Sequence, residues 1–210
     1  MNSENLGSSP HRDRVRGDEM RAPDDDLNIA RLAEIIGIPS PTGEEAKLAA
    51  HLCTLMQEDG LEAFVQPIDG SSANVVGTLG DGLGPSVLLF APIDSAFSGR
   101  PEEELPWVGP AMRPDLLPRA IIDGDHVTGL SAENPKGHIV ALLGAVRALA
   151  RARVPLAGRA KIGFAAGGAP SNRRSDPQGR HTVDTAWDAS TCCSRAYAPI
   201  SPSPPSRAMR

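Results

Sequence analysis

Two short stretches of this 210-residue chain place polar and charged residues at the ends of apolar segments, where chemistry is often done. The first is Ala91-Pro92-Ile93-Asp94, which closes the apolar run Val87-Leu88-Leu89-Phe90. The second is Gly129-Leu130-Ser131-Ala132-Glu133-Asn134-Pro135-Lys136-Gly137, which leads into an Ala/Leu-rich segment. His126, Glu133 and His138 lie near the second stretch, and Asp94 should approach it. Imidazole and carboxylate are ordinary zinc ligands, so these four could form a single-metal site. The competing reading makes both histidines solvated, one in a loop and one at a helix start. Ser131 with Lys136 could pair a nucleophile with its base, although a polar turn explains both. Trp107 could line a pocket or cover a sheet edge. Cys192 and Cys193 are adjacent and Cys53 stands alone, which gives neither a disulfide framework nor a spaced zinc ligand set.

The elements that must position these residues alternate. Residues 1–26 are polar and charged with little to bury, and are expected to be a disordered tail. Leu27, Ile29, Ala30, Leu32, Ala33 and Ile36 recur at helical spacing and predict a helix over 27–38. After Pro39-Ser40-Pro41, Thr42 and Glu45 form a capping-box pattern for a helix over 44–59, with Gly60 placed as its C-terminal cap. Strands are predicted over 62–68, 74–78 and 86–91, the last apolar enough to be covered on both faces. Short strands over 120–122 and 126–128 flank the turn Asp123-Gly124-Asp125. A helix over 137–153 and a buried strand over 160–166 follow. This alternation predicts an α/β fold, a three-layer α/β/α sandwich.

The length suits one ordinary domain with a real core. A net charge of −5 argues against a nucleic-acid partner, which would require a basic face. No apolar run is long enough to cross a bilayer, and residues 1–26 lack the apolar stretch of a secretory signal. The expectation is a cytoplasmic protein without a nucleic-acid or membrane partner.

In series, the motifs resemble the zinc aminoacylase and carboxypeptidase family of metallopeptidases, which includes acetylornithine deacetylase, succinyl-diaminopimelate desuccinylase and bacterial glutamate carboxypeptidase. Its opening is similar to Ile38-Pro39-Ser40-Pro41-Thr42-Gly43-Glu44-Glu45, and its next element to Asn74-Val75-Val76-Gly77. Its Gly-His-x-Asp motif corresponds to Ala91-Pro92-Ile93-Asp94, and its Gly-x-Gly-x-x-Asp-x-Lys-Gly motif to Gly129 through Gly137. The match covers 27–166. The resemblance implies the front part of a zinc-exopeptidase-like catalytic domain, incomplete. It implies an ancestral hydrolysis of an amide in an N-acyl amino acid or similar small molecule. In such enzymes two zinc ions share a bridging carboxylate, and a Glu takes the proton from the attacking water. Here the His position is Pro92, the bridging Asp position is Asn134, and the expected Glu pair falls near Gly168-Ala169. Asp94 is the retained site residue, which in the family orients the lost His, while Lys136 and Gly137 shape the loop. The expectation is an inactive chain with no cofactor of its own. The alternative is a non-catalytic pseudoenzyme that binds a small ligand or a partner in the old cleft. The family's bridging Asp precedes a cis bond. Before proline the cis form costs only about 0.5–1 kcal/mol, so Asn134–Pro135 is predicted to be cis.

The pattern fades after Arg174. Residues 27–174 are read as a partial catalytic domain and 175–210 as an irregular, out-of-frame tail. Inserting one G after the Val183 codon forces two glycines and turns Cys192 and Cys193 into large apolar residues, so a single-base deletion is the reading for this end. The family's inserted dimerisation domain, which comes later still, is expected to be absent. The product is expected to be poorly stable or to aggregate, with a sheet edge and apolar faces exposed.

Overall fold

The computed structural model describes residues 24–168. The expected disordered tail up to residue 23, position 169 of the expected Glu pair, and the irregular tail 175–210 with its deletion and cysteine pair lie outside the described residues. Helix α1, Asp25–Ile36, begins two residues before the predicted start because Asp24 caps it, its carboxylate accepting from the Leu27 amide at 3.3 Å. Acidic Asp25 and Asp26 suit the positive end of the helix dipole. Helix α2, Ala46–Glu58, ends at Asp59, and Gly60 follows at φ +87°, as a C-terminal glycine should.

Strands β1 (Glu62–Pro67) and β2 (Ala73–Leu79) form a hairpin. β3 (Val87–Pro92) is followed by the short helix α3 (Pro101–Val108) and a small hairpin, β4 (Ile121–Asp123) with β5 (His126–Thr128). The wide turn Ala132–Gly137 opens helix α4 (His138–Arg151), which leads to β6 (Ala160–Ala165). The main sheet runs β1-β2-β6-β3, with β6 antiparallel to β2 and parallel to β3.

One face of this sheet carries the core. Ile35 of α1, Leu48, Leu52 and Met56 of α2, and Ile139, Leu143 and Val146 of α4 pack on Val75, Ala91, Ile162 and Phe164. Each such side chain contributes about 1.5–3 kcal/mol on burial. The α/β class is thus as expected. Among the described residues, helices α1, α2 and α4 pack on one face of the sheet. β3 was expected to be covered on both faces. Among the described strands it lies at the sheet edge, and Phe90 is 44% exposed, which an apolar run cannot reveal. Phe64 of β1 is similarly half exposed. No helix among the described residues is long and apolar enough to cross a membrane.

Candidate functional site

Three loops meet at the carboxyl ends of the parallel strands β3 and β6, where open α/β sheets place their ligands. They are residues 40–45, 92–95 and 166–168. The first two run side by side. Ser95 donates its amide to the Ser40 carbonyl at 2.8 Å, Thr42 to the Ser95 carbonyl at 3.3 Å, and the Ser40 hydroxyl to the Ile93 carbonyl at 2.7 Å.

Asp94 is buried here. One carboxylate oxygen accepts from the Thr42 hydroxyl at 2.9 Å and the other from the Gly168 amide at 2.7 Å. Beside it lies Glu45, fully buried. Its Oε1 accepts from the amides of Gly43 at 2.8 Å and Gly167 at 3.3 Å, and its Oε2 from the Ser72 hydroxyl at 2.7 Å. Burial pushes the Glu45 carboxyl above the ordinary carboxylate range. The charge of Asp94 adds to this, while the bonds from Ser72 and Gly43 oppose it. The capping box expected from Thr42 and Glu45 is therefore replaced: Glu45 is itself the N-cap residue of α2, makes no side-chain cap bond, and turns its carboxylate to the loops. Glu45 and Ser72 were missed as site residues. The only available signal was that Glu45 belongs to the first matched motif, next to a second acid, Glu44.

Pro92 sits at the end of β3 against Gly168. A Cβ on Gly168 would lie 2.6 Å from the Pro92 Cβ and 3.2 Å from Asp94 Oδ1, so no side chain fits there unless something shifts. Asn134 is exposed and extended at φ −138°, and the Asn134–Pro135 bond is cis as predicted. Lys136 is fully buried. Its amine donates to the Ile36 carbonyl at 3.4 Å and the Ile38 carbonyl at 3.0 Å, and burial pulls its pKa down to about 8. That placement ties the turn to the end of α1, and the amine is turned to these carbonyls. Gly137 follows it at the start of α4. His126, Glu133 and His138 are all exposed, and so is Trp107, at 71%.

The two zinc ions that the resemblance implies do not fit these residues. Pro92 has no donor atom, Asn134 is a neutral exposed amide, and Gly168 has no side chain. Among the described residues no group of three or more His, Cys, Asp or Glu able to hold a metal ion forms, so His126, Glu133, His138 and Asp94 are not gathered into the single-metal site considered above.

No family model matches the chain, and no curated protein matches it in sequence. Solved structures do match in fold. The aminopeptidase PepT of Bacillus cereus is 15% identical with a TM-score of 0.51, over 69% of this chain and 37% of that one. A zinc-dependent exopeptidase of Parabacteroides distasonis is 19% identical with a TM-score of 0.49, over 79% and 53%. The YXEP protein of Bacillus subtilis, a dinuclear metal-binding peptidase of the M20 family, is 16% identical with a TM-score of 0.45, over 68% and 36%. The fold is an α/β arrangement similar to that part of the aminopeptidase structure. This chain spans 37% of the aminopeptidase's length.

Proposed function

We propose that this chain is part of a metallohydrolase-type protein whose two-metal centre has been lost, and that as it stands it does not hydrolyse amides. The ancestral reaction, taken from the resemblance to the zinc aminoacylases, is hydrolysis of an N-acyl amino acid or similar small amide. The observation that carries the reading is the contact of Pro92 with Gly168. Two positions where the resemblance calls for a His and a Glu hold residues without ligand atoms, and the one fills the space left by the other. Lost ligands at scattered positions would leave gaps. Here the substitutions fit together, which supports a site that settled without metal.

The test uses the purified full chain. It is incubated with zinc, cobalt or manganese and freed of loose metal. Bound metal is measured by mass spectrometry, and hydrolysis of N-acetyl amino acids and dipeptides is followed. The expected result is no stoichiometric metal and no turnover above the metal-only blank. One or two equivalents of tightly held metal together with turnover would overturn the proposal.

A further inference from the structure

In a two-metal site the ions themselves tie together the loops that supply their ligands. Here the same three loops are tied without them, and the ties form a pattern. Consecutive amides at the end of β6 are each held by a different carboxylate, Gly167 by Glu45 and Gly168 by Asp94. Each carboxylate is anchored in turn on a second segment. Glu45 reaches Ser72 at the start of the β2 hairpin arm and Gly43 in its own loop, and Asp94 reaches Thr42. The chain thereby joins residues 42–45, 72, 94 and 167–168 through buried or half-buried side chains alone. Hydrogen bonds to an ionised group are worth about 1.5–3 kcal/mol, roughly twice a neutral one, when the geometry holds.

We infer that Glu45 and Asp94 form a metal-free latch that holds the Gly167–Gly168 turn onto the first two site loops. The inference deepens the loss of the metal centre proposed above by naming what took over its structural role. It also explains why position 168 is glycine. The turn is held so close to Pro92 and Asp94 that a Cβ there meets Pro92 at 2.6 Å. A closed latch and a ligand-bearing side chain at position 168 exclude one another. Both carboxylates act as positioning residues, through the backbone of the turn.

The experiment reads amide hydrogen exchange of Gly167 and Gly168 by NMR in the full chain, treated with chelator. Both amides should be protected, and added zinc should leave them unchanged. Glu45→Ala should speed exchange at Gly167 about tenfold or more. Glu45→Gln, whose amide oxygen still accepts from Gly43 and Gly167, should restore most of the protection. Asp94→Ala and Asp94→Asn should behave in the same way at Gly168. A second, independent pair covers the case in which Glu45→Ala does not fold. Gly168→Ala alone should loosen the turn, and Pro92→Gly added to it, which removes the Cβ that the new methyl meets at 2.6 Å, should recover protection. The latch is overturned if Glu45→Ala leaves Gly167 protection unchanged, if protection appears only with zinc, or if Pro92→Gly does not relieve Gly168→Ala. The two proposals fail separately. Zinc-dependent turnover with zinc-independent protection removes the functional reading and keeps the latch. Absence of metal with unchanged protection in Glu45→Ala removes the latch and keeps the functional reading.

Discussion

Helix α2 carries a buried carboxylate at each end, and the two are balanced in opposite ways. Asp59, at the C-terminal end, is gripped by the Arg31 guanidinium through bonds of 2.6 and 2.9 Å, with the Nε of Arg147 at 3.4 Å. Glu45, at the N-terminal end, is bound by amides and a hydroxyl, and no cation pairs with it among the described residues. The helix dipole accounts for the difference. A negative group at the C-terminal end opposes the partial charge of the free carbonyls and needs cations to stay buried, whereas at the N-terminal end the dipole already favours it and neutral donors suffice. Charge balance at Asp59 clamps α1, α2 and α4 together. Neutral balance at Glu45 leaves a carboxyl that burial can shift, set among the loops at the carboxyl ends of β3 and β6.

The contrast breaks most sharply at Asp59. Asp59→Ala leaves the buried Arg31 without its counter-ion and Arg147 with only Asp24 at 3.9 Å, and should lower unfolding stability by about 3–5 kcal/mol in urea denaturation. A loss below about 1 kcal/mol would show that solvent reaches the pair.

Lys136 sharpens the comparison from the other sign of charge, as a buried cation balanced by carbonyls alone. Its folded pKa of about 8 lies below the ordinary 10.5, so the unfolded chain binds more protons between those values. Stability should therefore rise as pH climbs through that window, by at most about 3 kcal/mol, and be lost as pH falls back through 8. Parallel denaturation of the wild type and Lys136→Met across the window isolates the effect, which should vanish in the variant.

The smallest effect belongs to Glu45. Its folded pKa is raised, so its contribution is fully present below the unfolded value and declines as pH rises through the folded one. The facing charged group is Asp94, and Ser72 can turn its hydroxyl to accept a proton from Glu45. Glu45→Gln should flatten this mild decline on the alkaline side of the ordinary carboxylate range, read as melting temperature against pH. An unchanged slope would mean that another group titrates there.

Local signals carried much of the fold. The helical spacing of Ile139, Leu143 and Val146 and the glycine after α2 needed only neighbours in sequence, and both appear where they were expected. The cis bond at Asn134–Pro135 came from the motif series. What failed depended on distant partners. The exposure of Phe90 follows from β3 lying at the edge, and that follows from β6 entering between β2 and β3, which no periodicity encodes. Glu45 looked like a capping residue because its neighbours in sequence allow that role. Its partners at 72, 94 and 167 come together only in the folded chain. Pro92 and Asn134 could be read as losses from their chemistry alone, but the fit of Pro92 to Gly168 could not.

The position of β6 has a consequence for how the protein is made. The strand that joins β3 to the β1–β2 hairpin is the last of the six described strands to leave the ribosome. The β1–β2 hairpin can form at once, since its partners are close in sequence. β3 then waits through roughly 70 residues, several seconds at about 5–20 residues per second, for β6, its neighbour among the described strands, to arrive at Ala160–Ala165. During that interval an uncharged apolar segment, Val87 to Pro92, is on offer to chaperones and to other nascent chains. Synthesis up to α4 therefore yields hairpins and helices without the four-stranded sheet, which is completed when β6 inserts between β2 and β3.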